Sequence, residues 1–448
     1  MPMKTGGWLF LLVFAVSLPA AGQGSPLQWP VPPPRPPRET VFPRVLIAAP
    51  ELARALVAGG VPIDARGAGE FAAGHLPGAV PARSEVSADV GRLRARLAGL
   101  GISGRERVVV YGDSDREAIA LLYWLLRRAG CAEVRILDGG LDAWRAAGGA
   151  IETGPARRAP AAAFHPVPQE EAAVDAGWVA GHFGAEGVEL LDARDARGWE
   201  RWETPPTFAA GHIPYGLPFD PRALLPAGGG WPEPAALRRR LAALGPRPGD
   251  PVRPESTFVV YGEDARDPRP ALGLLLLTLA GFEARIFPGG WKEWTADGSR
   301  PVVRVVSAAE VAGRLRPENP RLAADRRPRD LMLLDLREPG DFAIGHLPGA
   351  LNLPILRFAA ELEAVVSTSW PAADRATAPL LLYCYGIDCV RSRKAGAQAA
   401  RLGFRNVLWF RGGIQEWRDA GYPLLDSPPA TSSPSTERAS PAGAGARP

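Results

Sequence analysis

Apolar residues in this 448-residue chain gather in short unbroken runs that each stop on one characteristic residue, instead of alternating with polar ones. Three runs close on tyrosine: VVVY at Tyr111, FVVY at Tyr261 and LLLY at Tyr383. After each comes a short loop and then a stretch rich in Ala, Leu and Arg, the pattern of a helix with one wet face. Three other runs lead into Asp-x-Arg, at Asp64 and Arg66, Asp192 and Arg194, and Asp335 and Arg337. Each Asp-x-Arg precedes a Gly-His-[Leu/Ile]-Pro, which cannot continue a helix and predicts a turn. A Gly-Gly step followed by tryptophan closes each set, at Trp144, Trp294 and Trp417. Three elements in one order, three times over, mean three copies of one unit. Strands that are apolar throughout and alternate with helical stretches predict an α/β fold, a parallel sheet covered by helices on both faces.

The length agrees, at roughly 150 residues per domain. Breaks in the pattern place the copies at 44–152, 169–302 and 303–425. The second copy carries an insertion before its Gly-His, and RPENPRLAADRRPRD from Arg316 reads as a surface insertion in the third. Residues 1–22 read as a secretory signal peptide: Lys4, an apolar stretch from Trp8 to about Val16, then Ala20 and Gly22 at cleavage spacing. That stretch falls short of the ~20 residues that span hydrocarbon. An exported protein, periplasmic or secreted and free of the membrane after cleavage, is therefore expected. Residues 23–43 form a Pro-rich linker, and 426–448, rich in Ser, Pro and Ala, lack apolar surface to bury and are expected to be disordered.

Composition changes this picture little. Hydrophobic residues at 46% and charged residues at 22% are ordinary for a folded protein. The net charge of +4 comes from Arg and Lys mixed with Asp and Glu, without aromatic interleaving, so a nucleic-acid surface is not expected.

Candidate chemistry lies in one loop. Two of the three cysteines, Cys384 and Cys389, follow LLLY, where the other copies carry Gly112 and Gly262. A loop that wraps the start of a helix turns backbone N–H groups and the helix dipole toward one point, and a thiol held there ionises below its free value of ~8.5. Arg391, Arg393 and Lys394 add positive charge at the helix start. Two cysteines without nearby histidines fall short of a metal site, and no metal or cofactor is expected. Cys131, aligned with Phe282 and Phe404, is expected in a core. The five histidines are expected to be structural, as are the three Asp-x-Arg pairs and the three tryptophans.

Asp-x-Arg with Gly-His-x-Pro-Gly-Ala and Gly-Gly-x₃-Trp, taken together over about residues 44 to 425, resemble the rhodanese family. The resemblance implies three tandem rhodanese-like domains, each with a five-stranded parallel sheet, only the last with an active-site cysteine. It also implies that Cys384 is the nucleophile, and that Tyr385, Gly386, Ile387, Asp388, Cys389, Val390, Arg391 and Ser392 form the loop that holds substrate or persulfide. A silent domain is expected to pack against the active one and help wall its pocket. The implied reaction takes sulfane sulfur from a small donor such as thiosulfate through a Cys384 persulfide to a thiophilic acceptor. From Cys384 to Arg391 this loop is longer than the family pattern. In an oxidising compartment the two cysteines can also pair. Such a pair pins the loop, makes Cys389 a resolving thiol, or exchanges electrons with a thiol-redox partner protein. A non-catalytic binding or thiol-redox scaffold built on that pair is the alternative.

Overall fold

The computed structural model describes residues 45–82, 89–156, 158–167, 173–195, 211–227, 230–242, 256–296, 298–315, 331–387 and 389–426. The signal and linker segments, the tail from residue 427, both insertions and Asp388 lie outside the described residues.

The first domain contains β1 (Leu46–Ile47), β2 (Val61–Asp64), β3 (Val80–Pro81), β4 (Arg107–Tyr111) and β5 (Glu133–Leu137), in the order β1-β5-β4-β2-β3. Every pairing is parallel. The third repeats this topology with β10 (Val302–Val305), β11 (Met332–Asp335), β12 (Leu351–Asn352), β13 (Leu380–Tyr383) and β14 (Asn406–Phe410), ordered β10-β14-β13-β11-β12. The second has four strands, β6 (Val188–Asp192), β7 (Leu217–Pro218), β8 (Thr257–Tyr261) and β9 (Glu283–Phe287), ordered β7-β6-β8-β9. Five strands are expected there. Among the described residues, the edge next to β9 has a parallel bridge, Ala173 to Ile286, with the Val174 N–H donating to the Ile286 carbonyl, where the other two sheets have a further strand.

Unbroken apolar runs are needed because alternate side chains of a central strand enter two different cores. Val108 and Val110 of β4 face the helices Val90–Gly99 and Arg116–Ala129, while Val109 and Tyr111 face the side that holds Leu52 and Trp144. In β13, Leu380 and Leu382 enter one core and Leu381 and Tyr383 the other.

The domains share apolar surface. One core joins the first and second domains through the helices Arg116–Ala129 and Arg269–Ala280. The latter is apolar on nearly every face, as a helix clamped between its own sheet and a neighbour must be. Its Leu272, Leu274, Leu275, Leu276 and Leu277 are fully buried, each stabilising by about 1.5–3 kcal/mol. The second domain meets the third differently. Ala397 and Ala400 of the helix Val390–Arg401 enter its core, Arg401 donates to the Phe183 carbonyl, and the His212 backbone pairs with Val303 of β10.

Candidate active site

All three domains build the same frame. Arg337 donates through its backbone N–H and Nε to Asp335 Oδ1 (3.0 Å each) and through Nη2 to Oδ2 (2.6 Å), then on to the Gly345 carbonyl (2.7 Å). Arg66 makes this set with Asp64 and Gly74, and Arg194 with Asp192 and Gly211. Each pair ties the loop after one strand to the glycine of Gly-His. Both partners are buried and hydrogen-bonded, the condition under which a buried ion pair is tolerated. The strand-ending tyrosines complete the frame, their hydroxyls accepting the Leu76, Ile213 and Leu347 N–H groups. Burial, then the neighbouring Asp335, pushes the Tyr383 phenol well above its ordinary range.

The histidines of the first and third turns are structural. His75 stacks on Phe71 and His346 on Phe342, each with Nδ1 at the carbonyl of its stacking partner. Trp144, Trp294 and Trp417 bury their rings and donate Nε1–H to the Ala150, Pro301 and Pro423 carbonyls. Cys131 is a core thiol that burial pushes up to about 12.

The Gly-Gly step positions the loop itself. The Cys384 carbonyl accepts the Ile414 N–H (3.0 Å) and the Tyr385 carbonyl the Gln415 N–H (3.1 Å). Gly413 has φ +56°, and a Cβ there would collide with the Cys384 carbonyl oxygen. Gly140 and Gly290, at φ +57° and +58°, meet the Gly112 and Gly262 carbonyls in the same way, so all three positions require glycine.

Strand alternation then decides where the sulfur goes. Cys384 continues the face of Leu380 and Leu382, so its side chain turns into the core beneath the helix Val390–Arg401 and is 1% exposed. Cys389 is the N-cap of that helix, and Ser392 lies in its first turn. Cys384 Sγ is 3.3 Å from Ser392 Oγ, and Ser392 Oγ accepts Trp409 Nε1–H at 2.8 Å. A sulfur in a disulfide or a thiolate carries no proton, so the Ser392 hydroxyl, which accepts from Trp409, is the donor in this contact. The Cys389 carbonyl oxygen, 3.6 Å from Sγ, opposes ionisation. The Cys389 N–H donates to the Gly386 carbonyl (2.9 Å). Among the described residues the polar group that favours the ionised sulfur by a direct contact is therefore a hydroxyl, reinforced by the helix start.

The two sulfurs are joined: Cys384 and Cys389 form a disulfide with their Cα atoms 6.5 Å apart. Above it opens a cavity of about 1280 Å³, lined by Tyr385, Gly386, Ile387, Cys389, Val390, Arg391 and Lys394 of the loop and helix, with Glu338, Ile355, Leu356, Gln398, Gly412, Gln415, Glu416 and Asp419 around them. Cys389 lines this cavity and Cys384 does not. Arg391 stacks on Tyr385 and lies 3.6 Å from Glu338, and the Tyr385 hydroxyl donates to Asp341.

Two expectations are corrected. Arg393 does not face the cavity: it is buried and stacks on Tyr215 of the second domain at 4.4 Å, because its helical position points to that interface. The second domain likewise does not wall the cavity, whose lining is entirely from the third. It supports the site from behind, where His212 meets the Trp409 ring edge-on at 6.1 Å.

Sequence reading missed Trp409, which only strand pairing brings to the site. Strand register puts Trp409 opposite Leu382, as Ile136 is opposite Val110 and Ile286 opposite Val260. Cysteine, serine and tryptophan thus occur together in one copy, against Gly112, Ile119 and Ile136 in the first and Gly262, Pro270 and Ile286 in the second. The space beside each glycine is filled. Ile119 lies 3.1 Å from where a Cβ on Gly112 would sit. In the second domain the Asp267 carboxylate, which accepts the Glu263 N–H at 2.9 Å and pairs with Arg269, occupies that space.

Comparison with known proteins agrees with this architecture. The profile of the rhodanese-like domain matches residues 48–147, 175–297 and 319–420. The "Putative thiosulfate sulfurtransferase SseB" of Mycobacterium tuberculosis is 36% identical over 287 residues, 58% of this chain and 97% of the relative. The "Probable 3-mercaptopyruvate sulfurtransferase" of Pseudomonas aeruginosa is 32% identical, covering 53% and 86%. The "Thiosulfate sulfurtransferase" of Azotobacter vinelandii is 26% identical, covering 57% and 92%. Three repeats of one motif set, three parallel sheets and three profile matches place this chain in the rhodanese family, as a sulfurtransferase with three tandem rhodanese-like domains.

Proposed function

We propose that this protein is an exported sulfurtransferase whose third domain carries sulfane sulfur on Cys384, and that the first two domains are catalytically silent. One observation carries the reading. Cys384, Ser392 and Trp409 form a hydrogen-bonded line in the third domain, while the matching spaces hold Ile119 in the first and the Asp267 carboxylate in the second.

The disulfide form is a resting state, and a thiol must reduce it first. The freed Cys384 thiolate then attacks the outer sulfur of a donor such as thiosulfate. The donor's S–S bond breaks, sulfite departs with the electron pair, and Cys384 holds a persulfide. A thiophilic acceptor such as cyanide takes the outer sulfur and regenerates the thiolate. In the absence of an acceptor, Cys389 attacks the inner sulfur of the persulfide, releasing hydrosulfide and re-forming the disulfide. Arg391 and Lys394 in the cavity offer hydrogen-bond donors to an anionic donor, among the carboxylates Glu338, Glu416 and Asp419 that line the same wall. Export is supported by the amino-terminal signal pattern and by a cysteine pair suited to an oxidising compartment.

The test is thiocyanate formation from thiosulfate and cyanide, or pyruvate formation from 3-mercaptopyruvate, before and after reduction. Turnover is expected after reduction, to fall by about 10³-fold or more in Cys384→Ser and to persist in Cys389→Ser. The second reading, a thiol-redox scaffold, is favoured by the burial of Cys384 and its bond to Cys389. Absence of turnover with every sulfane donor after full reduction would select it.

A further inference from the structure

We infer that the site contains a second reactive atom with a defined role: Cys389 Sγ is the sulfur that incoming thiols attack, and Cys384 is the sulfur expelled. This rests on the reading of Cys384 as the sulfur carrier. The two ends of the disulfide differ in exposure and in hydrogen bonding. Cys389 lines the open cavity, while Cys384 is buried on the core side. A nucleophile must approach in line with the S–S bond from the side opposite the leaving sulfur, and the accessible approach is to Cys389. The leaving side is also prepared. Cys384 lies within 3.3 Å of a hydroxyl that Trp409 orients as a donor, and exchange is faster when the departing thiolate is stabilised.

In the balanced step, a thiolate bonds to Cys389 Sγ, the Cys384–Cys389 bond breaks, and its electron pair leaves on Cys384 as a thiolate. A second thiolate then attacks the sulfur of the first in the mixed disulfide. Cys389 departs as a thiolate and takes a proton from water. The thiol pair is oxidised to a disulfide and the protein gains two electrons. Reduction thus delivers the carrier already ionised and leaves the resolving thiol at the cavity wall. The attacking chemistry is a thiol, whether a small molecule or a dithiol carried on another protein. The surroundings of Cys389 bear on that choice, because Leu356, Tyr385 and Ile387, three large apolar residues with 89%, 37% and 59% exposure, line this one cavity.

The experiment treats the oxidised full chain with limiting glutathione, quenches in acid at successive early times and alkylates the freed thiol under denaturing conditions. Cleavage before Asp388 separates the two cysteines for mass spectrometry. Extrapolated to zero time, glutathione is expected on Cys389 and the alkyl group on Cys384, by at least about tenfold over the reverse. Glutathione on Cys384, equal labelling, or two free thiols before reduction would overturn the assignment. Ser392→Ala, a small change, is expected to slow opening by dithiothreitol about three- to tenfold without altering the site of attack, and an unchanged rate would remove the leaving-group argument. A Leu356→Glu variant, outside the cysteine loop, separates the sources. Slower reduction by a thioredoxin-type dithiol protein, with the dithiothreitol rate unchanged, identifies a protein thiol; equal rates with both identify a small one. Failure of sulfur transfer after reduction would remove the Cys384 carrier while leaving the mapping result intact, so the two readings fall separately.

Discussion

The second and third domains hold one frame around different contents. In each, a buried Asp–Arg pair fixes the loop after a central strand, a tyrosine hydroxyl braces the Gly-His turn, and a left-handed glycine admits the carbonyl that begins the next loop. Yet the position after the tyrosine is Gly262 in one and Cys384 in the other. Where the third domain holds a sulfur against a hydroxyl, the second holds the Asp267 carboxylate against the Glu263 N–H. A pocket that favours negative charge is thus kept in the second domain and filled from its own chain. The fold supplies the pocket; chemistry depends on what is left open in it.

The largest effect that bears on this comparison concerns the shared frame. Asp192→Ala and Asp335→Ala each orphan a buried guanidinium and are expected to cost about 3–5 kcal/mol, read by urea unfolding. Equal costs would support equivalence of the frames, and a loss confined to the third domain would break it. Next comes Trp409→Phe, which keeps an aromatic ring but removes the N–H. In the reduced Cys389→Ser background, alkylation of Cys384 at neutral pH is expected to slow about three- to tenfold, with its pH profile moved upward. The same change in a Ser392→Ala background should add nothing, because the effect passes through that hydroxyl. A slowdown that persists there would mean a packing effect.

The smallest effect tests the interface between the two domains. Glu189 is largely buried, and burial raises its carboxyl above the ordinary value while Arg393 partly opposes the rise. A carboxyl with a raised native value binds its proton more tightly when folded. Stability therefore falls as pH rises from the ordinary glutamate range through the raised value, and is level above it. Glu189→Gln is expected to flatten that fall and give a modest gain at neutral pH, measured as melting temperature against pH. A variant with the unaltered pH dependence would remove the group from the interface.

Much of this was legible beforehand because its signals are local. A β13 that is apolar throughout could only be a central parallel strand, and repetition of Asp-x-Arg, Gly-His-x-Pro and Gly-Gly-x₃-Trp made the three domains visible without a structure. The structural roles expected of Cys131 and of the Asp-x-Arg pairs follow from burial and spacing alone. The interface role of Arg393 was not legible, since three basic residues in one helical turn look alike until a second domain covers one of them. Neither was Trp409, which is seventeen residues from Ser392 and meets it only through the pairing of β13 with β14.

The amino-acid sequence by itself determined the repeated α/β unit, the family and the one copy that carries a cysteine directly after its strand-ending tyrosine, since strand pattern, turn chemistry and residue identity are properties of neighbouring positions. Tertiary structure alone decided which sulfur is buried and which lines the cavity, which groups touch them, and that the second domain supports the site from behind. Those outcomes depend on the face toward which β13 turns Cys384 and on how helix, sheet and neighbouring domain close around it, and distance along the chain does not encode them.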